Sequence, residues 1–362
     1  MGAATAFYLS QSGHDVVLLE GRRVLSGGTA SQSCAGGIRH QGRAVCEIPL
    51  AIEAIRSWTR LEEELEADLG YRQEGMTIVT DQEQAVAELE KRVAVERELG
   101  LDIGMVYGRD LQDLIPGLTP SALAGSHCAL DGHANPLHTV SAFINAAVNS
   151  GTRLELECPA VGFVVEKGAV KAVRTPRGDI SCDWAVVAAG AWSSGLTASV
   201  GFELPFEARG LQMMITPRHR PALKQVLGWV GHGISLKQVP PGGFLIGGGW
   251  PGEIKPESYG TTVLPGSMAK SAQTAVALFP QLAGTSILRA WVGIEAFSPD
   301  NLQIIGTAPD IENLFLVAGF SGHGFALGPG VGRLIAEFIS TGKLSDLLRP
   351  FRPNRFDSQK GT

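Results

Sequence analysis

Residues 1–23 read MGAATAFYLSQSGHDVVLLEGRR, and the fold turns on how this stretch is understood. Ala3–Ser10 has the small and apolar composition of a buried helix. Asp15–Leu19 is a short apolar run closed by an acid, Glu20, as a parallel strand would be. In a Rossmann βαβ unit a strand feeds a G-x-G-x-x-G turn, and the glycines let the backbone approach a pyrophosphate at the helix N-terminus. An acid about 20 residues later takes the ribose hydroxyls. Gly2 fits the third glycine of such a turn, and Glu20 stands in the place of the acid. Taken alone, the half-motif reads equally well as an ordinary helix and strand with a surface Glu.

Two further segments complete the pattern. Val186–Leu196, VVAAGAWSSGL, is an apolar strand running into a turn at Ala189 and Gly190. Leu314–Gly332, LFLVAGFSGHGFALGPGVG, is a strand, a glycine turn (Gly319, Gly322, Gly324) and the start of a helix. Between the two ends, helices are predicted over 49–69, 81–99, 137–149 (stopped by Gly151) and 267–280. GMTIVT, the stretch 153–190 with its EKG and PRGD turns, and 206–250 read as strands. Strand–turn–helix units at both ends with antiparallel material between them predict an α/β chain. Its Rossmann-type domain is interrupted by a second domain with a mixed, mostly antiparallel sheet.

Composition bounds the function. The 362 residues are 44% hydrophobic and 18% charged, which is globular rather than disordered. A net charge of −6 argues against a nucleic-acid partner held by general electrostatics. Five cysteines (34, 46, 128, 158, 182) form no C-x-x-C pair, and residues 1–20 lack a signal-peptide pattern, so reduced thiols in a cytoplasm are expected. No run approaches the ~20 apolar residues of a membrane span. The loop Gly21–Gly42, GRRVLSGGTASQSCAGGIRHQG, is long and rich in Gly and Ser, the kind of loop that usually carries function.

With SGGTASQSCAGGIRHQG, SLKQVPPGGFLIGGGW, RAWVGIEAFSPDNLQIIG, AGFSGHGFALGPGVG and LRPFRPNRF in view, the chain resembles the FAD-dependent D-amino-acid oxidase superfamily over nearly its whole length. The resemblance is to the glycine/sarcosine oxidase branch, nearest to the β subunits of sarcosine oxidase and of related amine or hydroxyproline dehydrogenases. It implies an FAD-binding domain from 1–48, 138–205 and 300–362, and a substrate domain from 49–137 and 206–299. It implies FAD held by Gly2, Glu20, Ser26, Thr29, Ser31, Ser33, Val161, Ala189, Gly190, Gly319, Gly322 and Gly324. It further implies oxidation of a C–N bond beside a carboxylate, by hydride transfer to the flavin N5. Arg39 matches the family's carboxylate-gripping arginine, for which a bidentate guanidinium suits. Lys237 matches a lysine over the flavin face, where a cation would favour oxygen reduction. His323 matches a histidine near the flavin, and His40 neighbours Arg39. The bland readings are a surface ion pair for Arg39, a solvated strand lysine for Lys237 and structural support for the histidines.

Departures from the family pattern refine these expectations. A second carboxylate-binding lysine of the branch is Ala326 here. The cysteine that carries covalent FAD in monomeric sarcosine oxidases is Gly293, and the histidine that carries covalent FMN in heterotetrameric ones is Pro136. Non-covalent FAD, no FMN and no metal are expected. The family's turn often runs G-x-G-I-x-G, so Met1 reads as an internal methionine, with the first strand and two glycines expected upstream of it. The electron acceptor is expected to be oxygen or a respiratory chain, with partner subunits of a heteromeric enzyme as a further option. The rival readings are a flavin-dependent 2-hydroxy-acid oxidoreductase, an electron-relay subunit and a truncated inactive homologue.

Overall fold

A computed structural model of the chain describes residues 1–23 and 27–359, with the backbone alone for 357–359. Helices run over Gly2–Gln11 (α1), Ala30–Ser33 (α2), Ile48–Glu64 (α3), Glu83–Glu98 (α4), Gly108–Leu114 (α5), Pro136–Asn149 (α6), Ser193–Ala198 (α7), Pro265–Leu278 (α8) and Gly324–Thr341 (α9). Each helix expected from periodicity is present, shifted at its ends by a few residues. α3 stops at Glu64, short of the expected 69, and the chain turns there through Glu66 at φ 49°. α6 takes Pro136 as its first residue, and the Asn135 side chain accepts from the Leu137 and His138 N–H groups.

Among the described residues the strands form five sheets, and two groups of them matter here. Val17–Leu19 pairs in parallel with Arg153–Glu155, and Leu314–Ala318 pairs in parallel with Ala185–Val187 and antiparallel with Ile304–Thr307. Leu314–Ala318 is buried along its whole length, which is why it reads as a continuous apolar run rather than an alternating one. The second group is a ten-stranded sheet built from residues 76–128 and 207–297. Its pairings are antiparallel except between Val226–Trp229 and Met76–Thr80, which run parallel. α8 covers one face of this sheet through Ala275, Leu278 and Phe279. The strand Arg289–Phe297 of this sheet meets the other layer through the isolated bridges Thr29–Ile294 and Phe297–Phe320.

α9 organises the layer of helices. Its GPGVG run presents glycines to two neighbours. A Cβ on Gly330 would lie 2.5 Å from the Ala54 Cα in α3, and one on Gly332 would lie 2.9 Å from Ala4 in α1. Two residues along a helix is about 200° of rotation, so the two glycines admit one neighbour on each side. Trp58 of α3 closes the contact by donating its Nε1–H to the Ala326 carbonyl at 2.9 Å. α3 buries its apolar face in the same core as α1 and α9. The cause is the spacing of Leu50, Ala51, Ala54, Ile55, Trp58 and Leu61, which lie on one stripe of α3. Among the described residues, no helix is long and apolar enough to cross a membrane.

Replacing Gly330 by leucine should force α3 away from α9 and lower stability by at least about 1–3 kcal/mol. Chemical denaturation followed by circular dichroism checks it, and a variant as stable as the wild type would contradict the close approach described.

Candidate active site

Three of the residues expected to hold a dinucleotide, Glu20, Ala189 and Gly319, follow the parallel strands Val17–Leu19, Ala185–Val187 and Leu314–Ala318. Gly2 opens α1, where a Cβ would meet the Ala188 Cβ at 3.4 Å, in ordinary van der Waals contact with the strand-to-turn segment before Ala189. Glu20 follows the strand Val17–Leu19, and its Oε1 accepts the Arg22 N–H at 2.9 Å. Burial pushes the Glu20 carboxyl above its ordinary range. Gly27 and Gly28 lie at φ 79° and 78°, a left-handed pair, and the Gly27 N–H donates to Gln32 Oε1 at 3.2 Å. Thr29 then caps α2, which carries Ser31 and Ser33. Ser26 lies outside the described residues. Ala189 leads into a turn with Gly190 at φ 56°. Gly319 and Gly322 sit at φ 65° and 90°, and Gly324 begins α9. Val161 is exposed at the start of the strand Gly162–Glu166. Positive-φ turns of this kind, at the mouth of parallel strands and beside a ribose-type acid, form a cradle that fits an elongated phosphate-bearing dinucleotide.

Arg39 and His323 are brought together from opposite ends of the chain. Arg39 Nη2 lies 3.0 Å from His323 Nε2, and His323 Nδ1 lies 2.9 Å from the Oε1 of Glu47. Because Glu47 is ionised, Nδ1 carries the proton and donates to it. Nε2 is then a lone pair that accepts from Arg39. Burial lowers the His323 pKa, with the charges of Arg43 and Arg39 adding to it and Glu47 opposing. Burial alone would raise Glu47. The His323 hydrogen bond and the charges of Arg43 and Arg39 together hold it below its ordinary value. Arg43 donates to the same Glu47 oxygen at 2.7 Å, and both side chains are sealed from solvent. Arg39 Nη1 also donates to the Gln41 and Gly42 carbonyls, at 2.6 and 2.9 Å. Three of its five N–H groups are thus engaged, and two are left on a half-buried guanidinium. Desolvation, with Arg43 next, lowers Arg39 to about 10, so it stays charged at neutral pH.

The loop that carries Arg39 is fixed by buried polar partners. Gln41 is fully buried, donates to the Met76 carbonyl at 2.8 Å and accepts from Ser126 Oγ at 2.7 Å. Gly42 N–H donates to Glu96 Oε1 at 2.7 Å. His40 does not join Arg39. Its backbone N–H and its Nδ1 both bond Asp131 Oδ1, at 2.6 and 2.8 Å, and the pair is buried. The neighbouring Cys128 thiol completes this cluster of His, Cys and Asp. His40 is therefore a support for the loop rather than a lining group.

Lys237 sits on the strand Ser235–Gln238, where alternation sends Leu236 into the α8 core and Lys237 to the opposite face. It is 2% exposed, and burial pulls its ammonium down to about 7. Its charge is felt by Cys34, just after α2, and by His133, which burial holds at about 3. Sequence reading missed two acids. Glu47 carried no visible signal, since it stands at the head of an ordinary helix. Glu295 did carry one, an acid between Ile294 and Ala296 in a buried strand. Gly293 and Glu295 share a face of that strand, and a Cβ on Gly293 would lie 2.5 Å from the Ser33 Cβ. Glu295 therefore points toward the α2 loop, and its Oε1 accepts the Gly322 N–H at 2.5 Å. Burial is the largest influence on its carboxyl and pushes it up to about 7.

Comparison with known proteins gives this arrangement a context. The family described as FAD dependent oxidoreductase (DAO) matches residues 1–338. The chain is 26% identical to the β subunit of sarcosine oxidase from an Arthrobacter species, over 99% of this chain and 89% of that protein. It is 27% identical to a subunit of the opine oxidase of Rhizobium meliloti, over 99% and 96% of the two chains. Its fold superposes on the crystal structure of L-proline dehydrogenase from P. horikoshii with a TM-score of 0.91 at 26% identity, covering 99% of this chain and 95% of that one.

Replacing Glu47 by glutamine removes the anion between Arg43 and His323 while keeping its shape. A buried guanidinium left without its counter-ion should cost about 3–5 kcal/mol, measured by urea denaturation. The folded pKa of Glu47 is depressed, so its stabilising share is present above the unfolded carboxylate pKa and is lost as pH falls through the folded value. The variant should therefore lose less stability than wild type on acidification. Parallel acid limbs would contradict this.

Proposed function

Because the chain belongs to the DAO family of FAD-dependent oxidoreductases, we propose that it oxidises the C–N bond of a small amino acid or secondary amine bearing a carboxylate. The observation that carries this reading is Arg39, a half-buried cation with two N–H groups uncommitted among the described residues, braced by His323 in the glycine turn before α9. A carboxylate is the ligand such a fork takes best. Relatives named for sarcosine and proline agree with it, since both compounds are secondary amines beside a carboxylate.

The cradle would hold FAD with Glu20 on the ribose. Gly2, the 27–33 loop and Ala189–Gly190 would lie along the pyrophosphate and ribityl chain, Val161 beside the adenine, and Gly319, Gly322 and Gly324 at the flavin end. When bound, FAD supplies the two-electron sink that takes the hydride from the carbon next to nitrogen. The protein's part is orientation. Arg39 fixes the carboxylate end, which sets the reacting carbon against the cofactor. Lys237 places a latent cation near the same space, suited to electron transfer to oxygen if oxygen is the acceptor. The FAD part would comprise 1–48, 138–205 and 300–362, and the substrate part 49–137 and 206–299. FAD would be held without a covalent bond, because the Gly293 position has no room for a cysteine beside Ser33 and Pro136 offers no nucleophile. Relatives that are themselves named as subunits support association with partner chains. The five unpaired cysteines suit a reducing compartment such as the cytoplasm.

Anaerobic bleaching of the bound flavin by sarcosine, L-proline, glycine, D-amino acids and 2-hydroxy acids tests the reading, and reduction by hydroxy acids alone would overturn it. Arg39→Ala should lose about 2–4 kcal/mol of transition-state stabilisation in kcat/KM while keeping its flavin; an unchanged kcat/KM would remove Arg39 from the site. Heat denaturation should release all the flavin as free FAD, and flavin that stays with the polypeptide on a denaturing gel would contradict non-covalent binding. Lys237→Met should slow reoxidation by oxygen more than reduction by substrate, as read by stopped-flow absorbance of the two half-reactions.

A further inference from the structure

An amino acid reaches this site as a zwitterion, and the site has so far been given only a partner for its carboxylate. Its nitrogen poses a separate problem. A protonated amine has no lone pair to push a hydride off the neighbouring carbon, so a proton must leave it first. The surrounding groups are poorly placed to take that proton. His323 is committed at both nitrogens, to Glu47 and to Arg39. Glu47 is sealed between Arg43 and His323. His133 is 2% exposed and held neutral as a very weak base. The Cys34 thiol is pushed up to about 12 and stays protonated. Arg39 stays charged and repels an ammonium ion, and Lys237 does so whenever it is protonated.

Glu295 is different. One of its oxygens is fixed by the Gly322 N–H, and Gly322 adjoins the histidine that braces Arg39. The other oxygen makes no hydrogen bond within the described residues, and the side chain is only partly buried. The strand places it on the face of Gly293, over the α2 loop. We propose that Glu295 receives the substrate's ammonium group opposite Arg39 and takes its proton. The inference rests on the reading of the protein as an amine oxidoreductase. In the step, an N–H bond of the ammonium breaks and an O–H bond to the free Glu295 oxygen forms. The electron pair stays on nitrogen, and nothing is oxidised or reduced. The burial that raises the carboxyl to about 7 matches a base working near neutral pH. The titratable groups around it are Cys34 from the loop after α2, Lys237 from the strand Ser235–Gln238, His323 before α9, and Arg209. Arg209 is the direct pairing partner of Glu295 on the neighbouring strand, and its guanidinium is held by Glu207. The site would thus select compounds carrying both a carboxylate and a basic nitrogen, and disfavour hydroxy acids of the same shape.

The test uses the FAD-loaded full chain with Glu295→Gln, which keeps an oxygen to accept the Gly322 N–H. Sarcosine and L-proline are the amine probes, and acetate is an amine-free carboxylate probe followed by its perturbation of the flavin absorbance. At pH 7 the variant should lose about 10²–10⁴-fold in kcat/KM for the amine probe that reduces the wild type. The loss should shrink as pH approaches the amine's own pKa, about 10 by analogy with a lysine ammonium, while acetate binding stays unchanged or tightens. Glu295→Asp should recover part of the loss. A Glu295→Gln profile that superimposes on the wild type overturns the assignment and leaves amine oxidation standing. A wild-type protein reduced by 2-hydroxy acids and by no amine overturns both. An equal loss at every pH, with acetate binding lost as well, overturns the assignment in favour of a structural role.

Discussion

The site depends on one buried anion. Glu47 is completely enclosed and meets Arg43 and His323 at a single oxygen. A carboxylate there is tolerable only while both partners are in place, and Arg43 would be equally costly without it. Three consequences follow from the same contact. The 39–47 segment is tied to the glycine turn before α9. The His323 tautomer is set, with its proton toward Glu47. Arg39 is thereby offered a neutral acceptor instead of a competing charge, and it keeps its positive charge for another ligand.

The supports of the Arg39 loop extend this logic outward. Met76 and Ser126 come from the large sheet, Glu96 from α4, and Asp131 from the turn after the strand Ala124–Cys128. Each replaces water that burial has removed from a polar group. Residues far apart in sequence thus hold a short loop in one geometry, and a guanidinium placed this way needs little reordering to engage a carboxylate. Across the same space lie Lys237 and Glu295, both moved by burial to about 7. Desolvation weakens the charged form of each, so the ammonium and the carboxylate are each brought near the point of neutralisation. Perturbed groups gathered in one place are characteristic of sites that move protons or charge.

Much of the fold was legible because it is written in local patterns. The apolar run LFLVA, the glycines at turns needing positive φ, and the stripe on α3 each act within a few residues. The strand-and-turn units at the two ends pointed to a nucleotide-binding layer for that reason. The DAO membership matches the motifs that carried the resemblance. Packing across the chain was less legible. The stripe on α3 announced a buried face but not its partner, and α3 proved to share the core of α1 and α9.

The site divides in the same way. The sequence alone determined that Arg39 and His323 lie in glycine-rich turns, that Lys237 lies in an apolar strand, and that an acid follows the first visible strand. These are local facts of residue type and spacing. Only the tertiary structure decided that His323 braces Arg39, that His40 turns away to Asp131, and that Glu47 accepts from His323 and Arg43. It also decided that Glu295 faces the glycine turn. Each of these depends on desolvation and on partners tens to hundreds of residues away. A carboxylate's neighbours and its loss of water leave no mark on the sequence around it, because they come into being only when distant segments pack.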